Sequence, residues 1–317
     1  MLTICIPTFN RCNFLNDLLI SIYNADKLAK IIVVDNCSTD ETKIVISKFK
    51  RKFKYFKYFS HKKKKTYDQN YIFCLNKIKT KYAWIIGDDD LVTKNSIKEI
   101  NFILKKKAIT GITCNYNLIE KNNKLSKKFL RLKKFNIDKE FYKLGMLSTQ
   151  IINIDLFQKM KKYVNLKKIT FNGYAHMYIA TYLIKHFKNW FYYENKIINY
   201  RSGNLEYFKN KNDYFFRLKN ELVAYSENLK ILFNKQDKSF KKNMNNIYKK
   251  NIQSWLFLSM VESGKMKTIK LIKKYFKFFL LLSKMQIILL ILTTVMLPKS
   301  IIVKIKKIRR NVINFFN

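Results

Sequence analysis

Apolar residues follow two rhythms along the first 116 residues of the chain. Short continuous runs rich in Ile, Val, Phe and Tyr predict strands at Leu2–Pro7, Lys30–Asp35, Lys54–Phe59, Tyr82–Ile86 and Gly111–Tyr116. Between them, apolar positions spaced by three and four predict amphipathic helices at Phe14–Tyr23, Thr39–Phe49, Gln69–Ile78 and Ser96–Lys105. Alternation of the two is the signature of βα units, so this half is α/β, with a mainly parallel sheet flanked by helices. From about 117 to 140 the pattern dissolves into a Lys/Asn-rich excursion that reads as a hairpin or a mobile lid. Compact patterning returns with a strand-like Met146–Ile154, helices near Leu156–Tyr163 and Tyr174–Phe187, and a strand near Trp190–Tyr200. After about 205 every segment is helical, with amphipathic stretches at Tyr214–Phe233 and Phe240–Met260. The expected division is therefore 1–205, a helical extension at 206–262, and a distinct tail at 263–317.

Composition sharpens the tail more than the core. The 317 residues are 48% hydrophobic and 15% aromatic, which excludes disorder. They carry 64 Lys+Arg against 21 Asp+Glu, a formal charge of +43, yet only seven of the basic residues are arginine. Specific phosphate and base readers favour the bidentate Arg fork, so no nucleic-acid partner is expected from a lysine surface of this kind; a basic nucleic-acid-binding protein stays as the rival reading. Beyond Glu262 the chain has 13 basic residues and no acid. Lys270, Lys273, Lys277 and Lys284 stripe one helical face there, opposite Leu271, Ile272, Tyr275, Phe276, Phe278 and Phe279. Such a helix lies in the interface of an anionic membrane, and Met285–Leu297, thirteen uncharged residues, is too short to span. Packing of this tail on the protein is one alternative, and a span by Phe278–Leu297, which would carry Lys284 into the bilayer, is the other. Five cysteines without CxxC spacing argue against a zinc site or a disulfide framework and fit a reducing compartment. MLTICIPTFN lacks the features of a secretory signal, so the fold is expected to start at once.

Six scattered glycines form neither GxGxxG nor a P-loop, so any nucleotide must be held by strand-end carboxylates, loop backbone and a metal. The strongest constellation is WIIGDDDLV at 84–92, three adjacent acids directly after an apolar strand. Asp88, Asp89 and Asp90 repel one another unless a cation sits there; Mn²⁺ or Mg²⁺, bridging carboxylates to a diphosphate, is the natural partner. A solvated turn whose Asp caps the next helix is the plainer alternative. Asp35 and Asn36 close the second strand in VVDNCSTDET, where Ser38 or Thr39 can cap a helix supported by Glu41 or Thr42. Carboxyl ends of parallel strands are where α/β sheets bind ligands. IPTFNR adds a third edge, with Pro7 stiffening the strand exit and Phe9 and Arg11 available to a base ring and a phosphate.

IPTFNR at 6–11, VVDNCSTDET at 33–42 and GDDD at 87–90, in this order, resemble inverting nucleotide-sugar glycosyltransferases of family two, with the GT-A fold, over roughly residues 1–205. The resemblance implies a nucleotide-sugar donor site formed by Pro7, Thr8, Phe9, Asn10, Arg11, Asp35, Asn36, Asp88 and Asp89, and a divalent metal on Asp88, Asp89 and Asp90. Many relatives have Asp-Asp after the second strand where this chain has Asp35-Asn36; an amide can still pair with a base edge. Relatives usually place a catalytic acid about 90 residues after the metal motif, but residues 169–183 contain no acid and instead carry His176, 86 residues after Asp90. The resemblance, closest to the abequosyltransferase-like branch acting on bacterial surface glycans, makes His176 the general base. The rival for His176 is a purely structural histidine; Asp155 and Glu194 are next in line as the base. NYRSGN at 199–204 resembles the loop that follows, with Arg201 either stabilising the leaving diphosphate or forming a structural salt bridge. The implied activity is metal-dependent transfer to a hydroxyl of a lipid-linked glycan, at the cytoplasmic face of the inner membrane, by a peripheral enzyme. A non-catalytic scaffold of the same fold is the remaining alternative.

Overall fold

The structure, a computed structural model, describes residues 1–118, 131–169, 171–201, 213–235, 237–249 and 265–274. The chain forms two compact units: Met1–Asn136 with Lys143–Ser202, and Ile137–Tyr142 with Gly203–Asn317.

The first unit is built on a nine-stranded sheet. Its elements, in order, are β1 (Leu2–Thr8), α1 (Cys12–Ala25), β2 (Lys30–Asp35), α2 (Thr42–Lys50), β3 (Tyr55–Ser60), α3 (Tyr67–Lys77), β4 (Tyr82–Ile85), β5 (Leu91–Val92), α4 (Ser96–Lys106), β6 (Gly111–Leu118) and β7 (Leu132–Lys134). After the second unit's short α5 (Ile137–Glu140) come β8 (Gln150–Asn153), α6 (Ile154–Tyr163), α7 (Ala175–Phe187) and β9 (Trp190–Tyr200). Strand order is β3-β2-β1-β4-β8-β6-β9-β5, with β7 also on β9. Pairings among β3, β2, β1 and β4 are parallel, as is β6 with β9; those of β8, β5 and β7 are antiparallel. The sheet is therefore mixed, parallel at the N-terminal end and largely antiparallel beyond β4.

The parallel strands read as unbroken apolar runs because both their faces are covered. In β2, every residue from Ile31 to Asp35 is buried. Leu15, Leu18, Leu19, Ile22 and Ala25 make the buried stripe of α1, and Ile97, Ile100, Ile103 and Leu104 that of α4, each at helical spacing. Trp84 of β4 is fully buried, and its indole N–H donates to the Ser148 carbonyl at 2.8 Å. Gly111 pairs with Trp190, and a Cβ there would lie 2.2 Å from the Trp190 ring, so no larger residue fits.

Met146–Ile154, expected as one strand, is a 3-10 turn at Leu147–Thr149 followed by β8 and the start of α6. In the 117–140 excursion, β6 extends to Leu118 and β7 and α5 follow, while residues 119–130, where a lid was expected, lie outside the described residues.

The second unit comprises α5, α8 (Asp213–Leu232), α9 (Lys238–Ile247) and α10 (Lys265–Lys274). Tyr225 of α8 donates its hydroxyl to the Tyr142 carbonyl at 2.8 Å and meets Phe141 edge to face. Of the expected basic stripe, Lys270 and Lys273 lie exposed on α10; Lys277, Lys284 and the apolar run at 285–297 lie outside the described residues. Among the described residues no helix is long and apolar enough to cross a membrane.

Candidate active site

In the order β3-β2-β1-β4 the connections leave β1 to opposite sides, so the crevice beyond the carboxyl ends of β1 and β4 is the switch point where such sheets bind ligands. The acidic turn sits there. Thr8, the last residue of β1, donates its hydroxyl to Asp88 Oδ2 at 2.8 Å across that crevice. Arg11 Nη1 lies between two carboxylates, 3.0 Å from Asp88 Oδ1 and 3.1 Å from Asp89 Oδ2. The turn itself is closed by Asp90 N–H donating to the Gly87 carbonyl at 3.1 Å, and Gly87 N–H donates to Ser148 Oγ at 2.9 Å. Asp90 Oδ1 accepts the Arg201 backbone N–H at 3.4 Å.

These carboxylates carry an unbalanced charge. Burial pushes the Asp88 carboxyl up to about 6, with Asp89 adding to the rise and Arg11 opposing it. Burial and the neighbouring Asp89 push Asp90 up to about 7. Arg11 meets two of the three carboxylates, and hard oxygen donors of this kind suit Mg²⁺ or Mn²⁺. Among the described residues no group of three or more His, Cys, Asp or Glu is arranged to hold a metal. Asp88 accepts through both oxygens, from Thr8 and from Arg11. Asp89, with a side chain 24% exposed, and Asp90 stand beside it as carboxylates that could hold a divalent cation.

The loop after β1 is fastened to the loop after β2. Asn10, with φ 50°, accepts the Thr39 N–H through Oδ1 at 2.7 Å and donates its own N–H to Ser38 Oγ at 2.9 Å. Asp40 accepts the Cys12 N–H at the start of α1 and the Thr42 N–H at the start of α2, so this aspartate, and neither Ser38 nor Thr39, caps both helices. Asp35 is fully buried, accepting the Ser38 N–H at 2.9 Å and the Tyr58 hydroxyl at 3.0 Å. Asn36 places both ends of its amide on the Lys65 main chain, at 2.8 and 2.9 Å, and not toward a base edge. That bond draws the lysine run alongside Phe9, whose ring centroid is 3.9 Å from Lys64 Nζ.

Arg201 follows β9. Its guanidinium forms a salt bridge with Asp17 at 2.9 Å and lies over the Phe14 ring, so the side chain is a structural tie and its backbone N–H is the part that meets the acidic turn.

His176 stands in the first turn of α7 and is 2% exposed. Its Nε2 is 3.0 Å from the Gly145 carbonyl, an acceptor only, so Nε2 carries the proton and Nδ1 the lone pair. Nδ1 is buried with no hydrogen-bond partner. The rings of Tyr67, Tyr71 and Tyr174 surround the imidazole at centroid distances of 6.3, 5.9 and 5.5 Å. Burial lowers its pKa to about 4, so the ring is neutral at pH 7. Of the reserve candidates, Asp155 is exposed on α6 and Glu194 is paired with Lys133 at 2.9 Å.

In sequence, GMLSTQIINIDLF at 145–157 resembles the family's donor-and-acceptor wall, without Ser148 being singled out in it, and Asp40, Tyr58 and Asp68 are missed. Asp68 had one signal: the T-x-x-Q capping box formed by Thr66 and Gln69, which starts α3 at Tyr67 and puts Asp68 in its first turn.

The mixed sheet, with the acidic turn after β4 at its switch point, has the GT-A fold. The chain belongs to glycosyl transferase family 2, whose profile matches residues 3–187. It is 30% identical over 112 residues to the abequosyltransferase RfbV of Salmonella typhimurium, a stretch that is 34% of this chain and 34% of that protein, so the match spans about a third of the relative's length. Among solved structures, residues 1–349 of S. aureus TarS superpose with a TM-score of 0.54 at 14% identity, covering 84% of each chain. The mannosyltransferase PcManGT of Pyrobaculum calidifontis, in complex with GDP-Man and Mn²⁺, gives 0.57 at 12% identity over 85% of this chain and 75% of that one. At such identities the likeness is one of fold.

Proposed function

We propose that this glycosyltransferase moves a sugar from a nucleotide-sugar donor to a hydroxyl of a lipid-linked bacterial surface glycan, with inversion and with a divalent cation. The observation that carries the reading is a shared support. One short segment accepts the His176 Nε2–H at the Gly145 carbonyl and the N–H of Gly87, in the acidic turn, at the Ser148 hydroxyl oxygen. A leaving-group site and a nitrogen base are thereby fixed to the same four residues. The complexes of structural neighbours with UDP-GlcNAc and with GDP-Man support a nucleotide-sugar donor.

The loop Pro7–Asn10 and the Asp35–Asn36 strand end would border the nucleoside, and Arg11 would reach the diphosphate. A Mn²⁺ or Mg²⁺ ion on Asp89 and Asp90 would supply charge neutralisation for the departing nucleoside diphosphate. His176 Nδ1, unprotonated at neutral pH, takes the acceptor hydroxyl proton as that oxygen attacks the anomeric carbon. The bond from that carbon to the phosphate oxygen breaks with its electron pair, and the configuration inverts. A pKa near 4 makes the ring a weak base in the empty site; an anionic donor beside it raises that value. Incubating the protein with UDP-, GDP-, CDP- and dTDP-sugars, with and without Mn²⁺, tests the reading. At least one should give metal-dependent turnover or a metal-dependent thermal shift, and failure with all would sink it.

The acid-free tail beyond Glu262 supports peripheral attachment to an anionic leaflet at the cytoplasmic face of the inner membrane, where lipid-linked acceptors sit. A chain ending at residue 262 should leave the membrane fraction on cell lysis; one that still pellets with membranes refutes the attachment.

A further inference from the structure

Residues 169–183 contain no acid, yet the fold brings one to them. Asp68, in the first turn of α3, accepts the Gly173 N–H through Oδ2 at 2.8 Å and the Ala175 N–H through Oδ1 at 2.9 Å, across 105 and 107 positions of sequence. The receiving backbone is shaped for an anion: Asn172 and Gly173 both have positive φ, 54° and 84°, and the next residues open α7 with their N–H groups free of intrahelical partners. Asp68 thus does for α7 what Tyr174, its own N-cap residue, does not, since Tyr174 makes no side-chain capping bond.

The same turn of α3 holds the histidine ring. Tyr67 precedes Asp68, Tyr71 follows one turn later, and both rings meet His176 edge to face. The Thr66–Gln69 capping box fixes this turn, and the Asn36 amide fixes Lys65, the residue before it. A continuous path of bonds therefore runs from the loop after β2, through the start of α3, to the residues on either side of Tyr174. It ends one residue before the imidazole.

We infer that Asp68 is a positioning residue for His176: its carboxylate sets the start of α7 so that the ring keeps one tautomer and one orientation, with the lone pair on the buried, unbonded Nδ1. The inference rests on the reading of His176 as the base, and it predicts what plain helix capping does not. Capping alone costs stability wherever it is lost. Positioning also changes the state of one particular ring.

The chain has three histidines, so labelling with ¹⁵N-histidine gives a spectrum simple enough to follow each ring in the full-length protein, with no ligand added. Asp68→Asn keeps the shape but offers one acceptor oxygen where two are used, and turns an NH₂ toward a backbone N–H. It should shift or exchange-broaden both His176 ring nitrogens as the ring samples the second tautomer. His61, held by Asn70, and His186 should not move. Asp68→Glu, which keeps the charge on a longer stem, should restore part of the native signal, and it serves the same comparison if the Asn variant does not fold. A His176 spectrum unchanged in Asp68→Asn, or one in which all three histidines move together, overturns the inference. The base assignment is judged separately, by whether His176→Ala removes turnover of UDP-GlcNAc or GDP-Man with Mn²⁺. Where His176→Ala is inactive, Asp68→Asn should lower that turnover about 10- to 100-fold, in line with a displaced catalytic group; turnover within twofold of wild type overturns the inference alone.

Discussion

The acidic turn and the histidine chamber, the two halves of the proposed site, are built by opposite means. Asp88–Asp90 are adjacent in sequence, charged, and held by side chains that reach across the switch point, Thr8 and Arg11 above all. His176 is neutral and closed in by aromatic rings, and its polar contact and that of its helix start run to backbone groups of Gly145, Gly173 and Ala175. Burial raises the carboxyls of Asp88 and Asp90 and lowers the imidazole, so the same physical cause leaves one half short of positive charge and the other short of a proton. A charged half tolerates exposure to an incoming phosphate and cation; a neutral, dry half keeps a lone pair from water until a hydroxyl arrives.

The largest effects should come from removing either half. Asp90→Ala takes away a carboxylate that no neighbour replaces, and transfer should fall by about 10³-fold, the scale of losing a preorganised charge at a leaving group. Excess Mn²⁺ should not rescue it; recovery at high metal would shift the role to Asp89. His176→Ala should cost about 10²-fold in kcat with the donor KM nearly unchanged, because a base acts on the acceptor and not on donor binding. If the loss appeared in donor KM, the histidine would belong to the donor half and the contrast between the halves would collapse.

The two halves also differ in how far sequence reveals them. GDDD after an apolar strand is legible because its members are contiguous and the strand pattern locates them. Lys30–Asp35, with its unbroken Ile-Ile-Val-Val, and Trp190–Tyr200, rich in aromatic and β-branched residues around a polar Glu194–Lys196, are legible as strands, and the structure has them with those bounds. β5 and β7, two and three residues long, carry too little pattern to detect. For Asp68 the capping box of Thr66 and Gln69 marks the helix start but not the role, because its partners are main-chain N–H groups, which every sequence possesses and no motif marks. Asn36 misled because an amide suits a base edge and a backbone equally, and only the tertiary position of Lys65 decides between them. Asp40 was passed over as a cap because capping was sought within its own helix, whereas it serves two.

Arg11 tests whether the acidic half is held by charge. Its side chain is 12% exposed and that of Asp88 7%, so Arg11→Ala leaves two largely buried carboxylates without their counter-ion. Breaking such a pair costs about 3 kcal/mol, which denaturant unfolding would register. The variant should also gain more thermal stability from Mn²⁺ than the wild type does, since the cation takes over the missing charge. Equal gains in both would mean that Arg11 and the metal do not compete for the same carboxylates.

The smallest effect separates the halves by pH. The folded pKa of His176, about 4, lies below the ordinary 6.5, so the unfolded chain binds a proton that the folded ring resists. Stability from this group is complete above pH 6.5 and is lost as the pH falls from there toward 4, by about 2 kcal/mol between pH 7.5 and 4.5. Wild type measured alone mixes this with every other titration in the fold, so the quantity to read is the difference from His176→Asn, which cannot take up the proton. That variant should lose less stability than wild type over the same interval. Parallel losses would mean that the imidazole is solvated and charged in the folded protein, and the neutral, dry chamber that distinguishes it from the acidic turn would not exist in solution.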